Sequence, residues 1–216
     1  MAVSGGRFAN PIDWAVSVLL IIPAITIGIA FHEFAHAYAA YKLGDHTPMF
    51  QGRVTLNPVK HFDPFGLLCI IFIGFGWGKP VMVNPMNFRN RRRDEIIVSL
   101  AGVVTNFVLA VIFSAILGLM VNINSHLFLW STMGAILLNI VRINIVLMVF
   151  NLIPVPPLDG FNVLAEILRI KYTDTYYMLY NNGMWILLIL IVFNVVNVIF
   201  RYTVTPLLSF LLSIFI

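Results

Sequence analysis

The sequence is poor in charged residues. Asp, Glu, Lys and Arg make up only 10% of its 216 residues, whereas soluble domains carry about 25%. Because 60% of the residues are hydrophobic and the mean hydropathy is +0.95, a soluble globular domain and a disordered chain are both excluded. Nucleic-acid binding is not expected despite the net charge of +4, since the basic residues lie between apolar runs. The composition therefore predicts a polytopic membrane protein.

Cysteine is nearly absent as well. Cys69 is the only one in the sequence, which excludes an intramolecular disulfide and a cysteine-based zinc knuckle. Any metal site in this chain must therefore take its ligands from histidines and carboxylates.

Long runs without charge mark the expected membrane crossings, because a helix needs roughly 20 apolar residues to span the hydrocarbon core. They predict an all-α fold with four transmembrane helices and a C-terminal partial or interfacial helix at 203–216. No cleavable signal peptide is expected before the first span. The predicted spans lie at about 14–43, 96–121, 131–153 and 175–200.

The segment 64–83 is apolar, but Gly66, Gly74, Gly76, Gly78 and Pro80 interrupt it. Irregular backbone at membrane depth requires cover from protein or a watery cavity, so the segment is predicted to be a re-entrant loop. The flanking stretches 53–57 and 80–84 are short and bounded by prolines, which predicts two strands of a small β-hairpin.

Basic residues indicate the orientation, since they favour the cytoplasmic side. The loop at 122–130 contains none of them. We therefore expect the C-terminal end of the first helix to face the cytoplasm of a cell-membrane protein, with the N-terminus outside. The residues of this basic block are Lys42, Arg53, Lys60, Lys79, Arg89, Arg91, Arg92 and Arg93.

The first predicted helix contains an HExxH motif, His32-Glu33-Phe34-Ala35-His36. Residues four apart share a helix face, so both imidazoles can bind one metal ion while Glu33 acts on water as a base. Ionisable residues inside a membrane are costly and indicate function. The alternative is that the two histidines only pack between helices.

A catalytic zinc site needs a third protein ligand, and Asp159 is the best candidate. It follows the third predicted span, where three prolines and Gly160 interrupt the helix. Counting about 1.5 Å per helical residue places it at the same depth as the histidines. The alternative is that Asp159 only caps the following helix.

These motifs resemble the site-2 protease family of intramembrane zinc metalloproteases, in its short branch without PDZ or CBS domains. The resemblance implies one membrane-embedded peptidase domain over 1–216, with one Zn²⁺ on His32, His36 and Asp159 and Glu33 as general base. Its substrates would be membrane proteins with a transmembrane helix. Val103 stands where many members carry proline. The matching segments are 32–36, 52–58, 61–64, 76–81, the Ala101-Gly102 pair with Asn106, and 151–160.

Other polar residues lie in the predicted spans. Asn106 or Asn151 is a candidate donor to the developing oxyanion, and interhelical hydrogen bonding is an equally good explanation for each. An exposed edge near Val54 or Val81 is a candidate site for an unwound substrate. Arg142 falls mid-span without an assigned role. A zinc transporter and an inactive relative that only binds membrane proteins are the competing functions.

Overall fold

The computed structural model describes residues 10–73, 76–124 and 131–216. Within these ranges the regular structure is helical, which confirms the all-α class. The α-helices are α1 (Pro11–Lys42), α2 (Thr47–Phe50), α3 (Pro64–Ile73), α4 (Arg91–Asn124), α5 (Thr132–Asn151), α6 (Asp159–Ile167), α7 (Asp174–Val192) and α8 (Val195–Phe215). Five of them, α1, α4, α5, α7 and α8, are long and apolar enough to cross a membrane. The chain is therefore a multi-pass membrane protein.

Helices α1, α4 and α5 pack against one another and form the centre of the bundle. Helix α8 covers α4 and α5, and its Val204 packs with Val141 and Ile145 in one buried cluster. Its last turn meets α4 at Gly118, where a Cβ atom would stand 2.7 Å from the carbonyl carbon of Phe215. The bundle thus places α1 and α4 side by side along the face that carries the histidines.

The C-terminal boundaries differ from the predicted ones. The crossing predicted at 175–200 and the partial helix predicted at 203–216 are instead α7 and α8, which meet at Asn194. Asn194 adopts a left-handed conformation with φ 63°, which asparagine tolerates better than most residues. Hydropathy does not reveal this break because the sequence is apolar on both sides of it.

The predicted β-hairpin is wrong. In the described ranges the stretches 53–57 and 80–84 form no strand, and one isolated bridge joins Phe62 to Gly78. The buried guanidinium of Arg53 donates to the carbonyls of Lys60, Lys79 and Pro80. A side chain therefore takes the place of the ladder bonds between the two stretches.

The apolar part of this segment forms α3, which has 10 residues. At about 1.5 Å per residue it is far too short to cross a 30 Å hydrocarbon core. The re-entrant path of 64–83 stays a prediction. Residues 74 and 75 lie outside the described ranges.

Candidate metal centre

Helix α1 supplies the two histidines. His32 and His36 are one turn apart on a helix that continues unbroken to Lys42, and both are buried. Their Nε2 atoms lie 3.0 Å apart, and the rings meet edge to face. The i, i+4 spacing thus turns one nitrogen of each ring toward a common point.

Asp159 reaches the same point from the start of α6. Its Oδ2 atom lies 3.3 Å from Nε2 of His32 and 3.3 Å from Nε2 of His36. The next residue is Gly160, where a Cβ atom would stand 2.9 Å from the carbonyl oxygen of Ile153. Glycine therefore lets α6 begin against the end of α5, which brings the carboxylate into the bundle.

The donor set fits zinc. One ligand atom from each of His32, His36 and Asp159 lies within 4.8 Å of the other two. Oδ2 of Asp159 is buried, yet no hydrogen-bond donor contacts it among the described residues. Two imidazole nitrogens with one carboxylate oxygen form the three-ligand set of a catalytic zinc site. This geometry argues against a purely capping role, since the side chain faces the histidines.

The Nδ1 atom of each imidazole also has a hydrogen-bond partner. Nδ1 of His36 lies 2.7 Å from the carbonyl oxygen of Val98, and Nδ1 of His32 lies 2.6 Å from Oδ1 of Asn106. Both partners belong to α4. Such hydrogen bonds fix the orientation of metal-binding histidines, and they leave both Nε2 atoms directed at Asp159.

Gly102 lies on α4 between Val98 and Asn106, directly against the rings. A Cβ atom there would stand 2.5 Å from Cε1 of His32 and 2.6 Å from Nε2 of His36. The close approach of α4 to α1 therefore requires glycine. Helix α4 continues through Val103 without a break, so proline is not needed for this contact.

Glu33 sits beside the two histidines on α1 and is partly buried. A Cβ atom added to Gly78 would stand 3.7 Å from its Oε1 atom, so the 76–80 segment borders the carboxylate. Burial lowers the pKa of the Arg53 guanidinium, and the negative charge of Glu33 partly offsets this effect. Glu33 thus has a cationic neighbour at the loop that Arg53 organises.

The remaining candidate residues occupy different environments. The amide nitrogen of Asn106 contacts two acceptors, Asn144 Oδ1 at 2.8 Å and the carbonyl of Gly28 at 3.2 Å. The amide of Asn151 donates to Leu147 at 3.0 Å. Arg142 is exposed on α5. No sequence pattern indicates the role of the Val98 carbonyl, since every residue has one.

Comparison with known proteins gives relatives of one kind. "Putative zinc metalloprotease YwhC" of Bacillus subtilis is 40% identical over 154 residues, which cover 68% of this chain and 68% of that protein. Proteins named "Putative zinc metalloprotease Rip2" are 31% identical over 175 residues in Mycobacterium tuberculosis and 33% identical over 159 residues in Mycolicibacterium smegmatis. These alignments cover 78% and 72% of this chain but 65% and 60% of the relatives. No family model and no solved structure matches the chain.

The names of these relatives agree with the donor set of the candidate centre. A catalytic zinc site needs three protein ligands, and His32, His36 and Asp159 form such a set. The chain belongs to the site-2 protease family of zinc metalloproteases.

Proposed function

We propose that the chain hydrolyses peptide bonds of membrane proteins, in or near their transmembrane segments. The observation that supports this most directly is the convergence of two imidazole nitrogens and one carboxylate oxygen. The two histidines and Glu33 belong to α1, which is apolar enough to cross a membrane. His32 and His36 lie about 15 and 9 Å before the end of α1 at Lys42, counted along the helix axis. Chemistry at that depth takes place below the membrane surface.

The three metal ligands and Glu33 have separate roles in this reaction. Zinc, when bound by His32, His36 and Asp159, acidifies water and polarises a carbonyl group. Glu33 accepts the proton of the attacking water as its oxygen adds to the scissile carbonyl carbon. Glu33 then delivers that proton to the leaving amine as the carbon–nitrogen bond breaks.

A donor to the developing oxyanion completes the site, and we propose Asn151 for this role. One hydrogen of its amide is used by the Leu147 carbonyl, and the side chain is only partly buried. Asn151 ends α5, just before the turn that leads to Asp159. Removing a single oxyanion donor typically costs about 10²- to 10³-fold in turnover.

A helical substrate must unwind before its carbonyls can be attacked. The stretch around Val81 has no regular secondary structure and follows closely after Gly78, which borders Glu33. We propose that its backbone groups hydrogen-bond to the unwound segment when substrate binds. Proline at Val81 would remove a donor and reduce cleavage; unchanged cleavage would contradict this part of the proposal.

The basic block between α1 and the start of α4 supports a cell-membrane protein whose metal end faces the cytoplasm. The block begins at Lys42, which ends the helix that carries the histidines. A cysteine introduced beside Lys42 should react with impermeant reagents from the cytoplasmic side only. Labelling from the outside would reverse the proposed orientation.

The test of the proposed activity is cleavage of a single-span protein in liposomes. Glu33→Gln is expected to retain zinc and to lose about 10²- to 10⁴-fold in rate. Asp159→Ala is expected to lose zinc, while Asp174→Asn, an exposed change in the first turn of α7, serves as control. Wild-type protein with full zinc and no cleavage would favour a binding-only relative, and zinc flux into the liposomes would favour transport.

A further inference from the structure

A chain of hydrogen bonds runs from α5 to His32 through the interior of the bundle. The amide nitrogen of Asn144 lies 2.9 Å from the carbonyl of Ile140, and its Oδ1 lies 2.8 Å from the amide nitrogen of Asn106. Oδ1 of Asn106 lies 2.6 Å from Nδ1 of His32. Both asparagines are completely buried, so water does not compete for these contacts.

The direction of every bond in this chain is fixed. A backbone carbonyl only accepts hydrogen bonds, so Asn144 must present its NH₂ group to Ile140 and its oxygen to Asn106. The NH₂ group of Asn106 also faces the carbonyl of Gly28 at 3.2 Å. Rotating either amide by 180° would set an oxygen against a carbonyl oxygen. Asn106 must therefore present its oxygen to His32.

An oxygen acceptor at this position determines the state of the imidazole. Nδ1 of His32 must carry a hydrogen to satisfy it, which leaves the lone pair on Nε2 in the neutral ring. The opposite tautomer would place two lone pairs 2.6 Å apart. His36 reaches the same state through a backbone carbonyl, that of Val98, so only His32 depends on side chains.

We propose that Asn106 and Asn144 are positioning residues that fix the tautomer and ring orientation of His32 for metal binding. This inference rests on the metal site of the proposed function. The Ile140 carbonyl of α5 determines the orientation of the Asn144 amide, which in turn determines that of Asn106 on α4. Asn106 then determines which nitrogen of His32 on α1 carries the hydrogen. The metal ligand is therefore set correctly only when all three central helices are packed together.

The alternative is that the two asparagines only hold helices together. The two explanations predict opposite results for Asn106→Asp. A carboxylate keeps an acceptor next to Nδ1 of His32, an arrangement that supports metal-binding histidines. If Asn106 only held the helices together, Asn106→Asp would destabilise the protein more than Asn106→Leu, because its buried carboxylate would face the oxygens of Gly28 and Asn144.

The experiment measures zinc affinity of the full chain in detergent by competition with a chelator, alongside the melting temperature without metal. Asn106→Leu is expected to weaken zinc binding about 10- to 100-fold, and Asn144→Leu less, because the Gly28 carbonyl still holds Asn106. Asn106→Asp is expected to bind zinc more tightly than Asn106→Leu. Ser114→Ala, which removes a buried hydroxyl without a described partner on the same helix, should change nothing.

A second readout observes the hydrogen on the His32 ring directly. In ¹⁵N-labelled, zinc-loaded protein, His32 should show a hydrogen on Nδ1 that exchanges slowly with water, and Asn106→Leu should speed its exchange. A wild-type hydrogen on Nε2, or zinc binding by Asn106→Asp no tighter than by Asn106→Leu, would overturn the proposal. Neither readout involves cleavage, so an inactive protein that passes both would refute the proposed proteolysis and leave the positioning role intact.

Discussion

Alanine at position 102 is expected to weaken the metal site by a purely steric effect. The added methyl group would lie 2.5 Å from Cε1 of His32 and 2.6 Å from its Nδ1 atom. Carbon atoms in favourable contact are about 3.5–4.0 Å apart, so the overlap is about 1 Å. Helix α4 cannot simply withdraw, because Val98 and Asn106 on either side of Gly102 hydrogen-bond the same two rings.

The expected loss of zinc affinity depends on how far the added methyl group displaces the histidine rings. Zinc–ligand distances must stay within about 0.2 Å of their usual values, and moving a ring by about 1 Å exceeds this tolerance. Overpacking of a well-packed site costs about 1–3 kcal/mol. If the metal-bound state carries this cost, Gly102→Ala lowers zinc affinity roughly 5- to 140-fold, at about 1.4 kcal/mol per factor of ten.

Gly118→Ala provides a matched control on the same helix. Its methyl group would stand 2.7 Å from the carbonyl carbon of Phe215, about 24 Å along α4 from Gly102. Both variants should melt at a lower temperature than the wild type, but only Gly102→Ala should bind zinc more weakly in chelator competition. Wild-type zinc affinity in Gly102→Ala, or an equal loss in Gly118→Ala, would refute the steric argument.

Two further predictions concern stability. Burial alone would raise the pKa of Asp45, but hydrogen bonds from Thr47 and from the 84–87 turn outweigh it and lower the pKa. The stability from Asp45 is therefore present above its unfolded-state pKa and is lost as pH falls through the lower folded-state value. Asp45→Asn should lessen the acid dependence of the melting temperature; a slope equal to wild type would contradict this. Lys171→Met removes the ammonium that pairs with the buried carboxylate of Glu95, which keeps Arg91 and Tyr172 as partners. Losing one hydrogen bond to a charged group should cost about 1.5–3 kcal/mol in unfolding free energy, and an unchanged denaturation midpoint would contradict the pairing.

The sequence predicts the histidine pair well because its geometry is local. An i, i+4 spacing on any α-helix brings two imidazoles together, so His32 and His36 need no tertiary information. Asp159 is predictable in a different way: one cysteine excludes thiolate ligands, and counting residues along two spans places this carboxylate at the depth of the histidines. The depth estimate and the exclusion of thiolate ligands together predict a contact between residues that lie far apart in the sequence.

The rest depends on features that carry no sequence pattern. Val98 contributes a backbone carbonyl, and the side chain at that position does not affect the bond. Asn106 was recognised as polar, yet the direction of its amide follows from carbonyls on two other helices. Short length and bounding prolines predict two strands here, whereas in the structure hydrogen bonds from the guanidinium of Arg53 replace the pairing between them.

Helix α4 connects the two halves of the metal site. Its middle supports the histidines through Val98, Gly102 and Asn106. Its start is fastened to the end of α6, where Arg92 donates to the carbonyls of Glu166 and Ile167 at 3.0 and 3.1 Å.

Asp159 opens the helix that is fastened in this way. Because α6 has only 9 residues, about 13 Å in length, a fixed far end restricts where its first residue can lie. The histidines and the aspartate are therefore positioned by the same helix, although they lie more than 120 residues apart in the sequence. A rotation of α4 about its axis would move the ring supports and the carboxylate together, so the site should gain or lose all three ligands in one step.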